Sequence, residues 1–357
     1  MNINLLRASN LRCFENFDFA PAHGINWLVG PNGAGKTTVL EAAYILSHGR
    51  SFRPGGRAAP GRQGTHEYLV YAEISRKGQA PQRMGLSRGR ERWQARLDGI
   101  DLTTLAPLFA SCPVVYFGPE SQSLIAGPAE TRRSFLDWSV FHVEHESLDV
   151  WRMWRRSLRQ RNALLRTSAS AVEFEPWEHD LAKLAARINA MRTACLASLG
   201  PYLEQEAKWL VPELGGLRIE YRPGWDEELG LELQLVSGRE RERERGFTQH
   251  GAHRADWWLS FERVARRDHL SRGQAKAIAL VCSLAQTRWL RDRIGEYPLL
   301  CLDDLDSELD EEHAAKIVGW LHGKPLQAWL TATGLPELQP GGDSSVFHVE
   351  QSGPVRL

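Results

Sequence analysis

Apolar and polar positions at the start of the chain first alternate and then run together. Alternation over Asn4 to Arg7 and Asn16 to Phe19 predicts two half-buried strands, and the unbroken apolar run Ile25 to Val29 predicts a fully buried one. A glycine-rich turn follows, then a helix from Lys36 to Ser47. Tyr68 to Ile74 and Arg92 to Leu97 alternate again, whereas Arg50 to Gly64, rich in Gly, Pro and Arg, reads as a loop. From Pro119 to Arg245 the apolar spacing becomes helical, with Trp151, Trp154, Leu158 and Leu165 on one face and arginines between them. Within it, Arg239 to Arg245 alternates Arg and Glu and reads as a solvated surface segment without a function. From Asp256 the α/β pattern returns: helix Arg272 to Leu290, strand Leu299 to Leu302, helix Glu311 to Leu321 and strand Gln327 to Leu330. The expected organisation is a discontinuous α/β head, residues 1–118 and 246–357, interrupted by a helical insertion, residues 119–245.

Composition narrows the functional classes. Lys plus Arg and Asp plus Glu both number 44, so any nucleic-acid contact has to come from a local patch. The five cysteines, Cys13, Cys112, Cys195, Cys282 and Cys301, are scattered and form no metal-binding pair, which suits buried thiols in a reducing compartment. The arginine-bearing N-terminus lacks the apolar core of a secretion signal, and Ala277 to Ala285 is too short to span a bilayer. A cytoplasmic protein with no membrane partner is expected.

The chemistry concentrates in three places. Gly30-Pro31-Asn32-Gly33-Ala34-Gly35-Lys36-Thr37-Thr38 follows a predicted strand, opens a predicted helix and has the G-x-x-x-x-G-K-[ST] spacing of a phosphate-binding loop. There, backbone N–H groups turn around the α and β phosphates of ATP, Lys36 adds charge near the γ phosphate, and the Thr37 hydroxyl ligates Mg²⁺. Such a loop needs an acid at the end of a neighbouring strand to hold Mg²⁺ through its water shell, and Leu299-Leu-Cys-Leu-Asp303-Asp304 supplies it. Asp303 is the expected metal residue, and Asp304 the carboxylate that orients or deprotonates attacking water. The third place is Leu270-Ser271-Arg272-Gly273-Gln274 at the start of the long helix. It has the form of a capping box, and its N–H groups and dipole also suit a γ phosphate presented in trans by a second subunit.

The order of phosphate loop, LSxGQ signature and metal acid resembles that of ABC-type P-loop ATPase heads, with a helical second domain inserted here. Ser307-Glu-Leu-Asp310 then occupies the place of the loop that crosses the dimer interface in such heads. Within that group, the stretches NLRCFENFDF, GRSFR (Gly49 to Arg53), PESQSLIAGPAETRRSFLD (Pro119 to Asp137), QRNALL, GAHRADW, LSRGQAK and LDDLDSELD resemble the RecF family over nearly the whole chain. The resemblance implies a protein of recombinational repair and replication that binds ATP and dimerises on it. It also implies engagement of DNA at gaps or single-strand/double-strand junctions, and action with RecO and RecR in loading RecA.

Against the broader pattern, Asp304 stands where transporters carry a glutamate, one methylene closer to the backbone, from which slow hydrolysis is expected. The switch histidine is replaced by Thr331 or Thr333, between which the sequence does not choose, and Gln122 is a weak candidate for the Q-loop residue. His142, Glu144 and His145 lack the H-E-x-x-H arrangement of a zinc site. Two arginine clusters suit phosphate contact: Arg50, Arg53, Arg57 and Arg62 in one loop, and Arg152, Arg155, Arg156, Arg159, Arg161 and Arg166 on one helix. No base-reading motif accompanies them, so binding to single- and double-stranded DNA should not be sequence-specific. The rival classes are a transporter nucleotide-binding subunit, disfavoured by the helical insertion, and a structural head of the SMC type, disfavoured by the lack of a long heptad arm.

Overall fold

The computed structural model describes residues 1–53, 55, 60–90, 92–264, 269–334, 344–350 and 353–357. The chain divides into two units, one of Met1–Gln122 with Arg272–Leu357 and the other of Ser123–Ser271. The first unit begins β1 (Asn2–Leu11), β2 (Phe14–Phe19), β3 (Ile25–Val29), α1 (Lys36–His48), β4 (Glu67–Ser75), β5 (Gln82–Gly89), β6 (Trp93–Leu97), β7 (Ile100–Asp101), α2 (Ala106–Ser111) and β8 (Val114–Phe117). The second contains α3 (Ser123–Ala126), α4 (Ala129–Val143), α5 (Ser147–Leu164), α6 (Ala171–Leu210), β9 (Leu217–Arg222), α7 (Leu231–Ser237), α8 (Arg239–Arg245) and β10 (Asp256–Phe261). The chain then returns to the first unit with α9 (Arg272–Ile294), β11 (Leu299–Leu302), α10 (Leu305–Glu308), α11 (Glu311–Leu321), β12 (Ala328–Ala332), β13 (Ser344–Glu350) and β14 (Gly353–Arg356).

Two sheets build the first unit. One is antiparallel, in the order β2-β1-β4-β5-β6-β7. It alternates as a one-sided sheet must: Ile3, Leu6, Ala8 and Leu11 of β1 and Tyr68, Val70, Ala72 and Ile74 of β4 are buried, their neighbours along the strand are not. The other, β14-β13-β3-β12-β11-β8, is parallel except for β14. Its central strands β3, β11 and β12 are buried on both faces, which is why they read as continuous apolar runs. Helix α1 contributes Val39, Leu40, Ala42, Ala43, Ile45 and Leu46 to the same core and touches β1 and β4 of one sheet and β8 and β12 of the other. The phosphate loop is thereby fixed by the most buried helix of the unit.

The second unit is helical around α6, a 40-residue helix about 60 Å long that runs through Pro176 and Pro201. A capping box of Ser170 and Glu173 starts it. The unit extends to Ser271, beyond the expected boundary at residue 245, because β10 pairs with β9 over Leu217 to Arg222 and Asp256 takes two of the three guanidinium nitrogens of Arg132. Strand β9, inside residues 119–245, also departs from the helical reading of the insertion.

Arg239 to Arg245 is also corrected. It forms helix α8, with Glu240, Arg241, Glu244 and Arg245 exposed as a solvated segment should be, but Glu242 is buried and accepts from Arg161, while Arg239 donates to the buried Glu178. The guanidinium groups of Arg161, Arg239 and Arg243 all lie over the Phe174 ring. Among the described residues no helix is long and apolar enough to cross a membrane.

Candidate nucleotide-binding site

The loop between β3 and α1 carries the expected phosphate-binding residues. Gly35 caps α1 with φ 105°, and a Cβ there would lie 2.3 Å from the Phe14 ring, so only glycine fits both the conformation and the space. No acidic residue occupies the first turn of α1 and no side chain caps it, which leaves its N-terminal dipole to an anion. Lys36 is 5% exposed, and its ammonium donates to the carbonyls of Gly30 at 2.7 Å and Pro31 at 3.2 Å, crossing the inside of the loop.

Strand β11 ends where its parallel neighbours β12 and β8 bring their own C-terminal ends, and Asp303 follows it directly. Its Oδ1 accepts from the hydroxyls of Thr37 at 2.9 Å and Thr331 at 2.8 Å, and its Oδ2 from Tyr116 at 3.1 Å. Burial raises the Asp303 pKa and the adjacent Asp304 carboxylate adds to this, while the three hydroxyl bonds oppose it. Burial and the Asp303 charge push the Tyr116 phenol far above its ordinary value, so it remains a donor.

Thr37 and Asp303 fit Mg²⁺. Both offer hard oxygen donors, the Thr37 hydroxyl and Oδ1 of Asp303 lying 2.9 Å apart, a donor set that would suit this ion. The remaining positions would fall to phosphate oxygens and water, as is usual for this ion. Asp304 takes a left-handed conformation, φ 50° and ψ 47°, tolerable for aspartate, and its N–H donates to the Thr331 hydroxyl at 2.7 Å. Of the two candidate switch threonines, Thr331 is therefore buried behind the acids. Thr333 is exposed at the strand end and bonds Asp306 through its N–H and hydroxyl.

Ser271, Arg272 and Gly273 are exposed where the 23-residue helix α9 begins, with Gln274 half-buried behind them. Two residues further on, Lys276 pairs with Glu308 at 2.8 Å, tying that helix to the end of α10, within the Ser307–Asp310 stretch. Gln122 ends the short turn Pro119–Gln122 and makes no described bond to the acids.

Two positions escaped the sequence reading. Glu41 is fully buried in α1, where it holds Arg12 by two nitrogens, the Ser51 hydroxyl and, at 3.8 Å, Arg53. A charged residue on the buried face of an otherwise apolar helix was the available signal. Tyr116, the one polar-tipped side chain in Val-Val-Tyr-Phe, is the other.

The arginine clusters divide. On α5, Arg152, Arg155, Arg156 and Arg159 are exposed, but Arg161 is buried and paired with Glu178 and Glu242, so it is no DNA contact; Arg166, also exposed, lies beyond the helix end at Leu164 and donates to the Gly246 carbonyl. In the loop, Arg53 faces Glu41 and Arg62 pairs with Glu15, while Arg57 lies outside the described residues. The stretches that suggested the family also hold the second unit together: Asp137 takes both nitrogens of Arg192, and Asn162 accepts from the Thr248 N–H and hydroxyl.

Residues 6–93 match the AAA domain family. The fold is similar to an SMC head bound to the C-terminal winged-helix domain of ScpA, with TM-score 0.60 and 12% identity over 100% of this chain and 98% of that one. It is similar, at TM-score 0.90, 23% identity and coverage of 99% and 97%, to the structure described as the recombination mediator protein RecF-ATP in the RecFOR pathway. Fold and loop together define a P-loop ATPase head of the ABC and SMC type. In sequence, the chain is 42% identical to the DNA replication and repair protein RecF of Stenotrophomonas maltophilia, over 99% of this chain and 98% of that protein. It is 35% identical to the protein of the same name from Thioalkalivibrio sulfidiphilus, over 100% and 99%. The chain belongs to the RecF family.

Proposed function

We propose that the chain is an ATP-gated DNA-binding protein of recombinational repair and replication. Two copies close on two ATP molecules at a single-strand gap or junction, and slow hydrolysis resets them. The observation that carries this reading is the convergence on Asp303 of the phosphate-loop Thr37, with Lys36 laid across the same loop. Phosphate is held by the loop from Gly30 to Thr38, Mg²⁺ by Thr37 and Asp303, and attacking water is oriented by Asp304. Held there, the ion would supply charge neutralisation to the transferring phosphoryl group.

Dimerisation is supported by the exposed Ser271, Arg272 and Gly273, with Gln274, at the start of α9, whose dipole suits a γ phosphate from a second copy. Driving such a closure from 1:99 to 99:1 takes about 5.5 kcal/mol of differential binding, within reach of an ATP that contacts both heads. The exposed arginines of α5 supply phosphate contacts without base readout. RecO and RecR are the expected partners and RecA loading the expected outcome, since family membership supports both; the expected compartment is the cytoplasm.

The test is binding to a gapped duplex with ATP, without nucleotide and with Lys36→Ala, at two salt concentrations. ATP-dependent, salt-weakened binding that Lys36→Ala abolishes is the expected result. Binding indifferent to ATP and to Lys36 would overturn the gate.

A further inference from the structure

Tyr116 joins two parts of the first unit that lie far apart in sequence. It sits on β8 in register with Cys301 of β11, so its hydroxyl reaches the carboxylate that follows that strand, at Oδ2 of Asp303. The other carboxylate oxygen is taken by Thr37 and Thr331. With both oxygens engaged, rotation of the carboxylate is fixed, and Oδ1 is the one presented to Thr37. Gly118 makes room for this: a Cβ there would lie 2.2 Å from the Tyr116 hydroxyl oxygen and 2.9 Å from Cβ of Asp303.

The Tyr116 ring is stacked on Phe52, with centroids 3.8 Å apart and planes 13° apart, while Tyr44 of α1 meets both rings edge-on. Phe52 is held by its neighbours. The Ser51 hydroxyl donates to Glu41 and accepts the Arg53 N–H at 2.9 Å, and the Arg53 guanidinium faces Glu41. Glu41 belongs to the helix that begins with Lys36 and Thr37. Both ends of the path from Glu41 through Phe52 and Tyr116 to Asp303 are therefore anchored on α1.

We infer that Tyr116 is a positioning residue for the metal-binding carboxylate, and that Phe52 sets the Tyr116 ring and so couples the Ser51–Arg53 segment to metal affinity. This rests on the Mg²⁺ and ATP reading of the site. The hydroxyl acts through its bond to Asp303. Loss of the hydroxyl frees Oδ2, so the carboxylate samples orientations that do not serve the ion.

The experiment is equilibrium binding of a fluorescent N-methylanthraniloyl ATP, in EDTA and across a Mg²⁺ titration. Tyr116→Phe, which keeps the ring stack, is expected to leave the EDTA affinity within about twofold and to raise the Mg²⁺ midpoint about tenfold, as loss of a hydrogen bond to a charged group should. Phe52→Leu should shift the midpoint in the same direction, and Phe52→Tyr, which keeps the stack, should not. Lys36→Ala should weaken binding in both buffers. An unchanged Mg²⁺ midpoint in Tyr116→Phe overturns the inference while the ATPase reading stands, and so does an equal loss in EDTA and Mg²⁺, the mark of a general structural defect. A parent protein that binds no nucleotide in either buffer overturns both.

Discussion

The Thr331 hydroxyl donates to Asp303 at 2.8 Å and accepts the N–H of Asp304 at 2.7 Å, so one side chain serves both acids of the site. Thr331→Val removes that oxygen at nearly constant shape, leaving the Asp304 N–H without its acceptor and Asp303 with one donor fewer. The expected loss of folding stability is about 1 to 3 kcal/mol, measured by urea denaturation, together with weaker Mg²⁺-dependent nucleotide binding. Thr331→Ser keeps the oxygen and should stay close to the parent. Equal stability of the Val and Ser variants would contradict the assignment.

The Asp304 carboxylate is half-buried at a left-handed position, and it does not cap the short helix that follows. A group not committed to the fold is available for chemistry, but the short aspartate reach makes it a poor holder of water. Steady-state turnover is expected below about 10 s⁻¹, the ordinary enzyme median. Asp304→Asn should abolish turnover while ATP still binds. A faster parent, or an active Asn variant, removes Asp304 from the catalytic role.

On α5, burial separates arginines that the sequence groups together. Arg161 is sealed between Glu178 and Glu242, so Arg161→Met leaves the buried Glu242 without its cation and Glu178 with Arg239 alone, and should cost about 3 to 5 kcal/mol of stability. The exposed Arg155, Arg156 and Arg159, changed together to Ala, should leave the denaturation midpoint in place. That variant should weaken gapped-duplex binding and flatten its salt dependence by about 0.7 to 0.9 in log–log slope for each DNA phosphate that is no longer neutralised. Unaltered DNA binding in the triple variant would move the interface off this helix.

These cases mark what a sequence carries on its face. The phosphate loop, Asp303 and the start of α9 were legible because each is a contiguous stretch whose chemistry depends on local spacing. Tyr116 was not, because its meaning lies in a bond to a residue 187 positions away. Glu41 and Arg161 were hidden for a related reason: a charged side chain reads as solvated until its partners, which arrive from other elements, are known. Strand β5 escaped because only two of its three buried residues, Met84 and Leu86 but not Arg88, are apolar, and β9 because none of its residues is fully buried; pairing with neighbouring strands defines both.

His253, in the GAHRADW stretch, has a pKa lowered from 6.5 to about 4, first by burial and then by nearby Arg254, Arg133 and His250, with only a bond to the Thr248 carbonyl opposing. A folded-state pKa below the unfolded value means that the unfolded chain binds the proton first. The resulting stabilisation is present above pH 6.5 and is lost as pH falls towards about 4. Between pH 7 and pH 5 the contribution amounts to up to about 2 kcal/mol, measurable by urea denaturation at each pH. His253→Gln, which does not titrate, should show a smaller fall over the same interval even if it is less stable throughout. An identical fall in parent and variant would mean that His253 is protonated as readily in the folded chain as in the unfolded one.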